Sequence, residues 1–146
     1  MMKSVIERSN RRTFLGLIAS VISIAAIAPS GASFGAEQSS PALQTITSAQ
    51  LAQRLREKNF VLVNVHVPYE GEISGTDVFI PFDQIGQNLD LLPADKSAEM
   101  VLYCRSGRMS EIAGNELSAI GYTNVSHLAG GMIDWAASGN EVLRRR

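Results

Sequence analysis

Residues 60–65 read Phe-Val-Leu-Val-Asn-Val, an apolar run without the polar alternation of a half-wet strand. A strand of that kind needs cover on both faces, which is the condition of an inner strand in a parallel sheet packed between helices. Met100 to Tyr103 (Met-Val-Leu-Tyr) repeats the condition further along the chain. These two runs constrain the fold more than any other feature.

The segments around them supply the helices. Thr47-Ser48-Ala49-Gln50 has the capping-box form, so a helix is expected to start at Thr47, with Leu51 and Leu55 on one face and Asn59 closing it. Pro68 ends the first strand, residues 69–77 form a glycine-punctuated loop, and Val78-Phe79-Ile80 reads as a short strand. Residues 83–92 are expected to be a short helical stretch stopped by Pro93. Ser110 to Ile120 is expected to be a helix, with Ile112, Leu117 and Ile120 apolar and Gly121 as its stop. Val125 to Leu128 follows as a strand, Gly130-Gly131 as a turn, and residues 132–138 as a last helix containing Trp135. Strands alternating with helices in this way predict an α/β domain, its mostly parallel central sheet flanked by helices on both faces.

The domain does not occupy the whole chain. Residues 1–36 hold Lys3, Arg8, Arg11 and Arg12 against Glu7, a net charge of +3, whereas the remainder carries −4. Phe14 to Ala28 is uncharged and apolar, and a small-residue stretch follows it. This is the order of an export signal. Asn10-Arg11-Arg12-Thr13-Phe14-Leu15 resembles a twin-arginine signal, with Asn10 in place of the usual Ser or Thr and Gly16 in place of the frequent Lys. Processing is expected after Ala32 or a few residues later, by Ala36, and the mature protein is expected in the periplasm. An uncleaved anchor is the alternative, but fifteen apolar residues are short against the ~20 that span a bilayer. The expected division is a signal over 1–36, a polar leader over 37–45, the domain over 46–141 and a basic tail over 142–146.

Composition narrows the function. A chain of 146 residues, 45% hydrophobic and 18% charged, suits one globular domain and excludes collagenous, disordered and multi-span membrane classes. The acidic body offers no broad basic face, so nucleic acid is not an expected partner. A single cysteine excludes an internal disulfide framework and a multi-cysteine zinc site, and no metal is expected.

That cysteine stands where chemistry is most easily built. Cys104 follows the Met100–Tyr103 strand, and Arg105-Ser106-Gly107-Arg108-Met109-Ser110 leads into the next helix. Open α/β sheets place their sites at the carboxyl ends of strands. A loop turning into a helix start aims backbone N–H groups at one point, and the helix dipole adds positive potential. Gly107 allows a tight curl, and Arg105 and Arg108 add two cationic groups. Such surroundings stabilise a thiolate, the nucleophilic form of cysteine. A small buried cysteine at a strand end is the plainer alternative.

With these residues the chain resembles the rhodanese family of single-domain sulfurtransferases, over about residues 46–140. Tyr103-Cys104-Arg105-Ser106-Gly107-Arg108-Met109-Ser110 carries most of the likeness. Glu72-Ile73-Ser74-Gly75-Thr76 and Leu128-Ala129-Gly130-Gly131 with Trp135 support it. The resemblance implies a rhodanese-like fold and a Cys104 that cycles between thiolate and persulfide, with Arg105, Ser106, Gly107, Arg108 and Met109 binding the substrate and the outer sulfur. It also implies thiosulfate or another small anionic sulfur donor, because a cationic loop accompanies such donors in the family. The acceptor would be cyanide, a small thiol or a partner protein. No cofactor is implied, and membrane contact is expected only during export.

The chain departs from the family at Asn64-Val65-His66, where Asp-Val-Arg is usual. Asn64 and His66 are therefore candidates to support the site in a changed way, with His66 either titrating near the strand end or simply replacing a structural arginine. A sulfur carrier or binding module that turns over poorly is the rival reading. A phosphatase needs Cys-x5-Arg, and Ser110 occupies the position of that arginine. His127 is expected to be packed or hydrogen-bonded, Glu70 and Glu72 to be solvated loop charges, Trp135 to fill the core, and Arg144–Arg146 to be a frayed tail.

Overall fold

The computed structural model describes residues 42–144. The expected export signal, residues 37–41, Arg145 and Arg146 lie outside the described residues.

The two apolar runs are inner strands, as their lack of alternation requires. β2 (Val61–Asn64) pairs in parallel with β5 (Met100–Tyr103), placing Asn64 opposite Tyr103. β6 (Val125–Leu128) continues the sheet beyond β5, and β4 (Val78–Phe79) flanks β2 on the other side. At the far edge, β1 (Gln44–Ile46) pairs with β6, giving the all-parallel order β1-β6-β5-β2-β4. Two-residue β3 (Glu72–Ile73) and β7 (Val142–Leu143) make a separate antiparallel ribbon.

Helices cover both faces. α2 (Arg108–Ala119) lies on one, where Ala113 and Leu117 join Val63, Val65, Met100, Leu102 and Cys104 in a buried cluster. α1 (Ser48–Arg54) and α3 (Gly131–Ala137) lie on the other, where Leu51, Met132 and Trp135 pack with Leu62, Val101, Tyr103 and Leu128. Side chains of a strand alternate between faces, so β5 sends Val101 and Tyr103 toward α1 and α3, and Cys104 toward α2. The Thr47 capping box is present: its Oγ1 accepts from Gln50 N–H, and Gln50 Oε1 accepts from Thr47 N–H. Ser48 Oγ donates to Asp134 at 2.5 Å, linking α1 to α3.

Several expectations change. Residues 83–92 form two 3-10 turns, Phe82–Gln87 and Leu89–Leu91, in place of an α-helix. α2 begins at Arg108, and its buried stripe is Ser110, Ala113, Gly114, Leu117 and Ser118. Ile112 and Ile120 fall off that stripe and are 46% and 36% exposed. Leu117 fills the inner face together with small residues, and at Gly114 an added Cβ would meet the Leu43 side chain. The sheet also starts inside the expected leader, at Gln44, and the ribbon ends inside the expected tail, at Leu143. Both strands are short and half-exposed, and each exists only through pairing with residues distant in sequence.

Candidate active site

The loop after β5 is held from three directions. Gly107 takes φ +96°, a left-handed conformation that a Cβ strains, and caps the start of α2. From there its N–H donates to Cys104 Sγ at 3.1 Å. Ser110, in the first turn of α2, donates from Oγ to the Gly107 carbonyl at 2.9 Å. Its hydroxyl also lies 3.5 Å from His127 Nδ1, and His127 Nε2 lies 3.1 Å from Thr45 Oγ1. His127 is thus a buried connector between β1 and the loop, as expected of a packed histidine.

The Gly130-Gly131 turn supports the loop from the other side. Met132 N–H donates to the Cys104 carbonyl at 2.9 Å, and Ile133 N–H to the Arg105 carbonyl at 3.0 Å. So close is the approach that a Cβ at Gly131 would overlap the Cys104 carbonyl oxygen and lie 2.6 Å from the Arg105 carbonyl carbon. Tyr103 completes the frame. Its hydroxyl accepts from Ile73 N–H at 3.0 Å and lies 2.6 Å from Thr76 Oγ1, tying the 72–76 turn to the strand that ends in the cysteine. Burial pushes the Tyr103 hydroxyl up to about 12, against the opposing pull of its hydrogen bonds to Thr76 and Ile73.

Cys104 is 1% exposed and so lies at the bottom of this loop. Above it, Arg108 and Met109 occupy the first turn of a helix, where N–H groups have no carbonyl of a preceding turn to bind. These donors, the helix dipole and the nearby guanidinium groups suit an anionic sulfur and its substituents. The arginines are not equivalent. Arg105 Nε lies 3.0 Å from Glu70 Oε2, whereas Arg108 is exposed and has no ion pair among the described residues.

Glu70 is an exposed loop charge, as expected, but it is also ion-paired. It stands four residues beyond His66 just after a strand end, a spacing that was the available signal, but its contact with Arg105 exists only once β2 and β5 lie side by side. His66 is 5% exposed, and its ring nitrogens have no hydrogen-bond partner among the described residues; Nε2 lies 3.6 Å from the same Glu70 oxygen. Asn64 is buried and self-sufficient, donating from Nδ2 to the Gly71 carbonyl at 2.9 Å and accepting from His66 N–H at 3.0 Å. At position 64 the departure thus sets a locally hydrogen-bonded amide at the end of β2, while the ion pair beside the site is Glu70–Arg105. Trp135 fills the core as expected, and its Nε1–H donates to the Glu141 carbonyl at 2.9 Å. Among the described residues no cluster of His, Cys, Asp and Glu has the makings of a metal site.

Comparison with known proteins bears on this geometry. The model of a family described as the rhodanese-like domain matches residues 47–138. A sulfurtransferase of Allochromatium vinosum is 36% identical over 102 residues, covering 67% of this chain and 92% of that protein. A tRNA uridine(34) hydroxylase of Erwinia tasmaniensis is 31% identical over 102 residues, covering 66% of this chain; the match spans only 29% of the hydroxylase. A solved rhodanese-like domain protein from Staphylococcus aureus, 28% identical, matches with a TM-score of 0.58 over 70% of this chain and 100% of that one.

Proposed function

This chain belongs to the rhodanese-like domain family, a family of sulfurtransferases, and on that premise we propose that it carries sulfane sulfur from an anionic donor such as thiosulfate through a persulfide on Cys104. The observation that carries the reading is the Cys104 sulfur beneath the Gly107 N–H at the start of α2, in a loop whose Arg108 has no ion pair among the described residues. The Cys104 thiolate attacks the outer sulfur of thiosulfate. The sulfur–sulfur bond of the donor breaks, and sulfite leaves with the electron pair. An acceptor (cyanide, a thiol or a partner protein) then attacks the outer sulfur of the persulfide and returns Cys104 as thiolate. Gly107 and the first-turn amides of α2 hold the anionic sulfur, and Arg108 receives the sulfonate end.

The work is done outside the cytoplasm in this reading. Its support is the order Arg11-Arg12, apolar Phe14 to Ala28 and small residues in the sequence. The hydroxylase reaction is not carried over, since the likeness spans under a third of that protein and the body of this chain is acidic.

Intact mass tests the proposal. Thiosulfate is expected to add one sulfur atom to the protein, cyanide to remove it, and Cys104→Ser to abolish it. No added mass with thiosulfate or any other sulfur donor overturns the reading. A persulfide that forms but does not turn over with cyanide or small thiols favours a sulfur carrier, the alternative that Asn64 and His66 support by standing where Asp and Arg are usual.

A further inference from the structure

A second feature adjoins the cysteine loop. The β3–β7 ribbon pairs Glu72 with Leu143 and Ile73 with Val142, and so brings Arg144 alongside Gly71, the neighbour of Glu70. Gly71 permits the approach. At φ +147° a Cβ there would lie 2.8 Å from Val142 Cγ1 and 2.9 Å from the Leu143 carbonyl oxygen. The ribbon and α3 thereby frame a cleft of about 280 Å³, lined by Glu70, Arg105 and Arg144 together with Ile133, Ala136 and Val142. It meets the cysteine loop through Arg105, whose carbonyl accepts from Ile133 N–H at 3.0 Å.

The charges in the cleft do not cancel. Glu70 is engaged by Arg105 at 3.0 Å, and the His66 imidazole backs the same carboxylate oxygen at 3.6 Å. Arg144 is exposed and has no ion pair among the described residues. One guanidinium is left over beside apolar surface, to which Ile133 contributes a side chain from a residue 53% exposed. An inorganic anion would use the charge and not the apolar surface; a neutral apolar molecule would do the reverse. The volume lies at the small end of ligand pockets, which run to roughly 300–1,000 Å³.

We propose that this cleft seats the sulfur acceptor, and that the acceptor class it fits is a short aliphatic thiol bearing a carboxylate. The carboxylate pairs with Arg144, and the methylenes lie on Ile133, Ala136 and Val142. The thiolate attacks the outer sulfur of the Cys104 persulfide, the persulfide bond breaks, and the electron pair returns to Cys104, so that the acceptor departs as its own persulfide. The assignment rests on the persulfide chemistry proposed above and gives donor and acceptor different arginines, Arg108 for the donor and Arg144 for the acceptor.

The test compares 3-mercaptopropionate with 2-mercaptoethanol as acceptors for the thiosulfate-loaded full-length protein. The ratio of their kcat/KM values is expected to fall about five- to tenfold in Arg144→Gln, the scale of one exposed charge-assisted contact. It is expected to fall further in Arg144→Glu and to recover largely in Arg144→Lys. The ribbon pairs Glu72 with Leu143 and Ile73 with Val142, so a change at Arg144 leaves its pairing residues untouched. Equal changes for the two thiols overturn the assignment, as does a rise in the KM for thiosulfate that exceeds the effect on the carboxylated thiol. Failure of the persulfide proposal is separately visible, because no sulfur would then be loaded in the unaltered protein.

Discussion

Glu70 Oε2 lies 3.0 Å from Arg105 Nε, which makes the two arginines of the cysteine loop electrically unequal. The pair is half-exposed, so it contributes little to stability. Its consequence is for the field over Cys104: the charge of Arg105 is offset, and Arg108 has no ion pair among the described residues.

Arg108→Met is accordingly expected to lower kcat/KM for thiosulfate by about ten- to hundredfold, the loss of a charge-assisted contact of ~1.5–3 kcal/mol. Arg105→Met removes a charge that Glu70 already offsets and is expected to cost less than about tenfold. Steady-state kinetics with thiosulfate and with the persulfide of a neutral thiol checks both. Equal losses of Arg108→Met for charged and uncharged donors would assign Arg108 to shaping the loop and not to holding the sulfonate.

Two glycines with similar backbone conformations are expected to respond differently to alanine. Gly139 has φ +84° and nothing within 4 Å of an added Cβ, so Gly139→Ala carries only left-handed strain of about 1 kcal/mol. Gly131 has φ +57°, and its Cβ would meet the backbone of Cys104 and Arg105. Gly131→Ala is expected to cost at least ~2 kcal/mol and to slow persulfide formation, because the displaced atoms belong to the cysteine loop. Urea unfolding and the rate of sulfur loading measure the two effects. Equal destabilisation in both variants would contradict this account.

Tyr103 supplies an alkaline signature. Its folded value of about 12 stands above the ordinary 10.0, so the folded state retains the proton longer than the unfolded chain. The associated stability is fully present below pH 10 and is lost as the pH rises toward 12, by about 2 to 3 kcal/mol in all. Tyr103→Phe is expected to be less stable near neutral pH, since Ile73 N–H loses its acceptor, and to lose less further stability over that alkaline range. Unfolding at stepped pH, with tyrosinate absorbance followed in parallel, tests the assignment. A curve of unchanged steepness in the variant would refute it.

The proposed export route predicts that replacing Arg11 and Arg12 together by lysine leaves the chain uncleaved and inside the cytoplasm. The mature protein is expected to begin between Ser33 and Glu37, which N-terminal sequencing of the exported form determines. An unchanged periplasmic level in the double variant would remove the twin-arginine assignment.

Features carried by consecutive residues were legible in the chain itself. The runs 60–65 and 100–103 declare inner strands because burial on both faces leaves no room for alternation. The Thr47 capping box and the Gly107 and Gly131 turns follow from backbone groups that neighbouring residues must satisfy or accommodate. Cys104 at a strand end, just before a helix, marks the candidate site for the same reason.

What no local pattern declares are pairings between distant residues. Gln44–Ile46 became a strand because β6 offers its edge, and Val142–Leu143 because β3 does; at three and two residues both are too short to announce themselves. Ile112 and Ile120 are apolar yet exposed, because the face of α2 that the sheet covers is the one bearing Ser110, Ala113, Gly114, Leu117 and Ser118. The Glu70–Arg105 contact, the buried His66 and the place of Arg144 depend on which strands lie side by side. Sequence specified the chemical groups, and only the folded chain decided which charges would cancel, because Coulombic pairing acts over a few ångströms of space and is indifferent to separation along the chain.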